Sequence, residues 1–228
     1  MELQFFGRGA GFHPQEGNTN AWLAAGKTLI MLDCGESTFA AVSHHPGLEP
    51  WDRVVVLVTH LHADHVGSLA SLCSYNYFVL GRQVLVVHPV DTVKEILRLM
   101  GVGEEVYRYA PALPEGYGIQ AKAMPVRHVP DMPCFGYELS DRQETIFYSG
   151  DAAEFADETA AKLLSGAYAR VYHDMASYDS KTHCPIAQAE EKVPPAYRGR
   201  VYAMHLDGDV ERTFLDKGFR VIQVTNQD

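Results

Sequence analysis

The chain has 228 residues, 46% hydrophobic, 21% charged and 11% aromatic, a globular balance that can bury a core without staples and excludes disorder, collagen and coiled coil. Nineteen basic residues stand against 29 acidic ones, a formal net charge of −10, and no Lys/Arg run offers a face for long nucleic acid. The longest aliphatic run, Val54–Val58, is far short of the ~20 residues needed to cross a bilayer, and Met1-Glu2-Leu3-Gln4 carries no secretion signal, so a cytoplasmic protein without a membrane partner is expected. Cys34, Cys73, Cys134 and Cys184 form no CxxC pair and are expected as free thiols.

In chain order, Glu2–Phe6 reads as a short strand, followed by turn-rich sequence through Gly7–Gly11 to Asn20. Ala21–Ala25 and Thr28–Asp33 form a hairpin around Gly26-Lys27. Arg53–Val58 and Gln83–Val87 are continuous apolar runs of the kind buried on both faces of a sheet. Asp91–Met100 predicts an amphipathic helix: Val93, Ile96, Leu97 and Met100 share one face, Asp91 can cap it and Gly101 stops it. Gly101–Gly118 reads as loop. Strands follow at Ile119–Val126, Cys134–Leu139 and Glu144–Ser149, then a helix over Ala152–Ser165 stopped by Gly166. Arg170–His173, Arg200–His205 and Phe219–Val224 read as strands, and Pro185–Val193 as a helix ended by Pro194-Pro195. No linker or repeat divides the chain. One domain over 1–228 is expected, of α/β class, with two sheets sandwiched between helices.

The segment Thr59-His60-Leu61-His62-Ala63-Asp64-His65 carries the chemistry. Three histidines and a carboxylate directly follow the buried strand Arg53–Val58. Residues two apart point nearly opposite ways on a helix, so the cluster is expected at a strand end, in a loop that runs into a helix start near Gly67. Imidazole with carboxylate suits zinc and its first-row neighbours, and the absence of thiolates argues against a structural zinc site. Chance supplies such a string on the order of once in a thousand chains of this composition. His128, Asp151 and His205 each follow an apolar strand and precede a turn, so all three can reach one sheet edge.

Thr59–His65 resembles the signature of the metallo-β-lactamase superfamily, which implies a four-layer αββα sandwich. Phe5-Phe6-Gly7 with Gly17-Asn18-Thr19, Leu32–Glu36, Phe135-Gly136-Tyr137 and Tyr148-Ser149-Gly150-Asp151 are similar to motifs of its ribonuclease Z branch. The resemblance implies two Zn2+ ions, with Mn2+ or Fe2+ as substitutes. His60, His62 and His128 would hold one, Asp64, His65 and His205 the other, and Asp151 would bridge them. Two dications ~3.5–4 Å apart can bridge and acidify a hydroxide, and the aspartates would offset their charge. Asp64 is expected also to orient that hydroxide. Tyr172-His173-Asp174 and Thr182-His183-Cys184 resemble the branch's proton shuttle, with His183 as acid to the leaving group and Asp174 as its orienting partner. Here the acidic residue is Asp rather than the branch's usual Glu, and the spacing between the two motifs is short.

The expected activity is a dinuclear zinc-dependent phosphodiesterase acting on a small or cyclic phosphodiester or a short nucleic acid. Long RNA is disfavoured: the segment between His128 and Asp151 is too short for the branch's substrate-gripping arm, and an acidic chain offers few phosphate contacts. The alternatives are a lactone, thioester or β-lactam hydrolase on the same site, and a non-catalytic metal-binding scaffold, against which every ligand position is filled. His62 stands where iron oxidoreductases of the superfamily carry Glu, which argues against redox chemistry. A homodimer is implied by resemblance. Among smaller candidates, Gly7–Gly11 is expected as a tight turn at the site rim, and Asp33 either as a carboxylate behind a ligand histidine or as a plain turn residue. His44-His45 is expected as exposed loop, His88 as a strand end and His13 as a residue of the mouth. Asp207 and Asp209 would set negative charge near a site for an anion, so they are expected either to sit outside the pocket or to select against large polyanions.

Overall fold

The structure is a computed structural model in which residues 1–225 are described. Its first half comprises β1 (Gln4–Phe5), β2 (Ala21–Ala25), β3 (Thr28–Leu32), α1 (Thr38–His44), β4 (Arg53–Leu57), α2 (Ala63–Val66), α3 (Leu69–Phe78), β5 (Val84–Val87), α4 (Thr92–Leu99) and β6 (Tyr107–Ala110). The second comprises β7 (Gln120–Val126), β8 (Cys134–Ser140), β9 (Thr145–Tyr148), α5 (Asp157–Leu164), β10 (Arg170–Asp174), α6 (Ile186–Lys192), α7 (Pro195–Arg198), β11 (Val201–Met204), α8 (Glu211–Asp216) and β12 (Arg220–Val221). The six strands of the first sheet run β1 to β6 in order, and those of the second run β12 to β7.

Strand β4 shows why two sheets stack. Val54, Val56 and Val58 point to one face, where they join α1, α3 and α4 residues such as Val42, Leu72 and Val93. Val55 and Leu57 point to the other and meet Tyr137, Ile146, Tyr148 and Tyr172 of the second sheet. With alternate side chains buried on both faces, the strand requires a layer on each side. The outer face of the second sheet is covered in the same way, by Leu163 of α5, Ala189 of α6 and Phe214 of α8. The result is the four-layer αββα metallo-β-lactamase fold. Among the described residues no helix is long and apolar enough to cross a membrane, and the four cysteines are free and buried.

Strand direction positions the site. β3, β4, β5 and β6 are mutually parallel, as are β9, β10, β11 and β12. Two antiparallel steps at each edge return β1 to the direction of β3 and β7 to that of β9. The loops leaving β1, β3 and β4 therefore emerge at the carboxyl edge of one sheet, and those leaving β7, β9, β10 and β11 at the carboxyl edge of the other.

Local structure departs from the sequence expectations at several points. The helices α1 and α3 are not among the expected elements, and His44, expected with His45 in an exposed loop, is the exposed last residue of α1. The loop expected over Gly101–Gly118 contains β6, a short edge strand paired in parallel with β5. The helix expected from Ala152 begins at Asp157. Over Ala152–Phe155 the backbone bonds elsewhere: Ala152 N–H to Asp174 Oδ2, Ala153 N–H to the Arg127 carbonyl and Phe155 N–H to Gln188 Oε1. Asp91 precedes α4, but its side chain makes no capping bond. The helix expected to start near Gly67 is α3, from Leu69, and the single turn α2 precedes it, so Asp64 and His65 sit on that turn rather than in a loop.

Candidate dinuclear metal centre

Seven side chains converge at the shared carboxyl edge. His60 and His62 lie in the turn after β4, Asp64 and His65 on α2, His128 after β7, Asp151 after β9 and His205 after β11. They form two groups of potential ligands that share Asp151: His60, His62 and His128 in one, Asp64, His65 and His205 in the other. In each group the donor atoms all lie within 4.8 Å of one another.

The distances test whether an ion fits. Donors on a tetrahedral zinc at about 2.0–2.1 Å stand roughly 3.3 Å apart. In the first group His62 Nδ1 is 2.9 Å from His60 Nε2 and 3.4 Å from His128 Nε2, and Asp151 Oδ2 is 3.8 and 3.7 Å from His60 and His128. In the second, Asp64 Oδ2 is 3.4 Å from His65 Nε2 and 3.3 Å from His205 Nε2, and Asp151 Oδ1 and Oδ2 are 3.2 and 3.4 Å from the same nitrogens. Nε2 of His65 is buried without a hydrogen-bond partner, a cost that a metal bond would remove. The donors fit two divalent ions bridged by one carboxylate.

Supporting contacts aim the ligands. Asp33, fully buried, accepts from the Thr59 backbone N–H at 2.7 Å, from Thr59 Oγ1 at 2.8 Å and from His65 Nδ1 at 2.7 Å. This fixes the tautomer that leaves His65 Nε2 for a metal. His128 Nδ1 likewise donates to the Thr182 carbonyl at 2.7 Å, freeing Nε2. Asp33 and His205 both adopt left-handed backbone, at φ 66° and 61°, which non-glycine residues rarely do. Backbone bonds around Asp33 hold that conformation, its N–H bonding to the Leu57 carbonyl. At His205 the backbone N–H bonds to Thr19 Oγ1.

The electrostatics fit a site built for cations. Burial alone would lower the pKa of His65 and His205, but Asp151 with Asp33 raises the first well above the ordinary histidine value, and Asp151 with Asp64 raises the second to about 9. Burial opposes ionisation of Asp64 and Asp151, yet the surrounding histidines hold both carboxyls below the usual range. Burial and neighbouring histidines keep His60 and His62 lowered, and thus neutral as ligands must be.

Beside this cluster, His183 Nδ1 donates to Asp174 Oδ2 at 2.7 Å, and the same oxygen accepts from the Ala152 N–H. Asp174 is fully buried and its Oδ1 lies 3.6 Å from His205 Nδ1, so one carboxylate faces both His183 and the candidate ligand cluster. Burial would lower the pKa of His183, but the bond to Asp174 raises it. The His183 ring stacks on His205 with centroids 4.8 Å apart. His173, next to Asp174 in sequence, is buried against Phe155 outside the site.

A cavity of about 750 Å³ opens over the cluster. His62, Asp64, His128, Asp151, His183 and His205 line it, together with His13, Glu36 and Asp207. Among its described lining residues there is no Lys or Arg. Arg8, near the rim in sequence, is tied to Glu16 and Glu211. The Gly7–Gly11 segment lies at the rim as expected, close enough that a Cβ on Gly11 would come within 2.9 Å of Asp64 Oδ2. Asp209 and His44 are exposed away from the cavity, and His88 is buried at the end of β5. Glu36, Phe12 and Tyr178 also line the cavity, although neither spacing nor composition singles them out. Their signal is position alone, in loops at the carboxyl edge.

Comparisons with known proteins bear on the family and the fold. A family profile described as "Anti-Pycsar protein Apyc1" matches residues 1–227. Proteins of that description from Bacillus phage 010DV004 and Paenibacillus harenae are 26% and 27% identical to this chain, covering 96% and 76% of it and 93% and 76% of their own lengths. A ribonuclease Z of Bacillus licheniformis is 26% identical over 91% of this chain and 69% of its own. Among solved structures, the metallo-beta-lactamase fold protein YhfI of Bacillus subtilis superposes with a TM-score of 0.74 at 16% identity, covering 95% of this chain and 90% of that one. The short form of human tRNase Z superposes at 0.72 and 18% identity, covering 98% and 97%.

Proposed function

The chain belongs to the anti-Pycsar Apyc1 family, and from that premise we propose that it is a dinuclear metal-dependent phosphodiesterase acting on a cyclic mononucleotide or a comparably small phosphodiester. The observation that carries this reading is the pair of donor groups sharing Asp151 at the floor of the cavity. Imidazole and carboxylate donors suit zinc and its first-row neighbours. Two such ions would supply Lewis-acid polarisation of the phosphoryl group and an acidified water nucleophile.

The chain's own residues would do the rest. Asp64, held ionised, accepts a hydrogen bond from the attacking water and orients it. His183, kept protonated by Asp174, donates its proton to the ester oxygen as the P–O bond breaks, so that the leaving group departs as an alcohol. The displaced imidazole then recovers a proton from solvent.

Size and charge support a small substrate. The cavity volume is in the range of small-ligand sites. Without lining cations, and with Glu36 and Asp207 at its walls, it would attract a single phosphodiester charge through the metals and repel further phosphates. The test is hydrolysis of bis-p-nitrophenyl phosphate and a panel of 3′,5′-cyclic mononucleotides. Turnover should be abolished by chelation and by His65→Ala. Protein loaded with two metal equivalents that cleaves no member of the panel would overturn the proposal.

A further inference from the structure

We propose that Phe12 and Tyr178 are specificity-determining residues that stack the base of the substrate at the mouth of the cavity; this rests on the function proposed above.

Both rings line the cavity that opens over the metal cluster, and both are exposed, Phe12 completely and Tyr178 by 54%. A fully exposed phenylalanine leaves a large apolar surface in water, which folding alone does not favour. Yet its loop is firmly tied down. Arg8 N–H bonds to the Glu16 carbonyl, Gly9 N–H to Gly17, Ala10 N–H to Leu206 and His13 N–H to Ala10, at 2.8–2.9 Å. The preceding Gly11 packs against the Asp64 carboxylate. The ring is therefore presented outward by a backbone seated on the metal cluster.

Tyr178 is placed in a comparable way. Its loop is closed by Ala176 N–H to the Cys184 carbonyl and Ile186 N–H to the Ala176 carbonyl. The Thr182 carbonyl of that loop holds His128, and Ser177 Oγ donates to Asp207 at 3.3 Å. Two independent loops, each bonded to a ligand histidine or packed on a ligand carboxylate, thus bring an aromatic ring to one opening. Val129, Ala10 and Ala176 add apolar surface to the same cavity.

The division of chemistry matches a nucleotide. The polar end of the cavity suits a phosphodiester. With no lining cation to grip a second phosphate, further affinity has to come from apolar contact, and a nucleobase offers two flat faces for it. Stacking of one base on an aromatic side chain is worth about tenfold in affinity.

The experiment is calorimetric titration of the metal-loaded protein with a nucleoside 5′-monophosphate and, separately, with ribose 5-phosphate. The wild type should prefer the nucleotide by about tenfold or more. That ratio should fall toward one in Phe12→Ala and in Tyr178→Ala, and should be retained in Phe12→Trp. A wild-type ratio near one, or a ratio unchanged in both alanine variants, would overturn the subsite. Cyclic-nucleotide turnover is measured in parallel. Turnover without a base preference rejects the stacking proposal alone, and a base preference without turnover rejects the phosphodiesterase reading while upholding the subsite.

Discussion

Asp33 Oδ2 and His65 Nδ1 lie 2.7 Å apart in the fully buried floor beneath the cluster, joined by a hydrogen bond that spans the loops after β3 and β4. Through it a residue that faces no substrate decides how His65 faces Asp151. Replacing Asp33 by Asn keeps a residue tolerant of left-handed backbone but removes the charge. Metal affinity of Asp33→Asn, measured by competition with a chromogenic chelator, should fall 10–100-fold while the far-ultraviolet circular dichroism stays native. Unaltered affinity for both equivalents would remove Asp33 from the site.

The Asp174–His183 pair predicts a dependence on the leaving group. His183→Ala should lower kcat for a cyclic mononucleotide by roughly 10²–10⁴-fold, with two metal equivalents still bound. On bis-p-nitrophenyl phosphate, whose leaving phenolate departs without a proton, the loss should be far smaller. Equal losses on both substrates would assign His183 a positioning role instead.

Stability of the metal-free protein should fall as pH rises. The pKa of His205 is raised in the fold from 6.5 to about 9, so the folded state holds its proton more tightly than the unfolded chain. The stability this contributes is fully present below pH 6.5 and is lost as pH rises through about 9. Chelator-treated protein should therefore melt at a lower temperature at pH 9 than at pH 6.5. Metal binding should release protons across the same window, because ligand histidines must be neutral. A melting temperature that is flat or rises over this range would contradict the coupling.

Gly35 permits a close backbone approach. A Cβ there would stand 1.9 Å from the Asp64 carbonyl oxygen, a contact that only movement of backbone can relieve. Gly35→Ala should cost ~3 kcal/mol or more and displace α2 with its two ligands, as read by denaturant unfolding and metal content. A native midpoint with two ions bound would refute this account.

Charge at the cavity wall should set selectivity. Asp207 lines the cavity, where it accepts from Ser177. Asp207→Asn should raise kcat/KM for a dinucleotide relative to a cyclic mononucleotide by a few-fold, more at low ionic strength than at high. A ratio insensitive to the substitution would place the selectivity elsewhere.

The string Thr59–His65, the strand-end positions of His128, Asp151 and His205, and the burial of the central strands on both faces were all legible in the sequence. Each depends on residue type and short spacing, which the polypeptide carries locally. Tertiary contacts decided the rest. Ala152–Phe155 reads as helix, but its N–H groups find partners on Asp174, Arg127 and Gln188, and backbone bonded elsewhere cannot close helical turns. The helix α3 buries Leu69, Leu72, Cys73 and Asn76 on one face, but that face includes a polar Asn and the others carry Tyr75, Tyr77 and Phe78, so its sequence lacks the apolar-against-polar contrast that marks an amphipathic helix. The left-handed backbone of His205, held by Thr19, and the presence of Phe12 and Tyr178 at one opening each depend on residues more than a hundred positions apart. Local sequence encodes which side chains can bind or react, whereas only the packing of the two sheets against each other fixes which of them meet and how they are aimed.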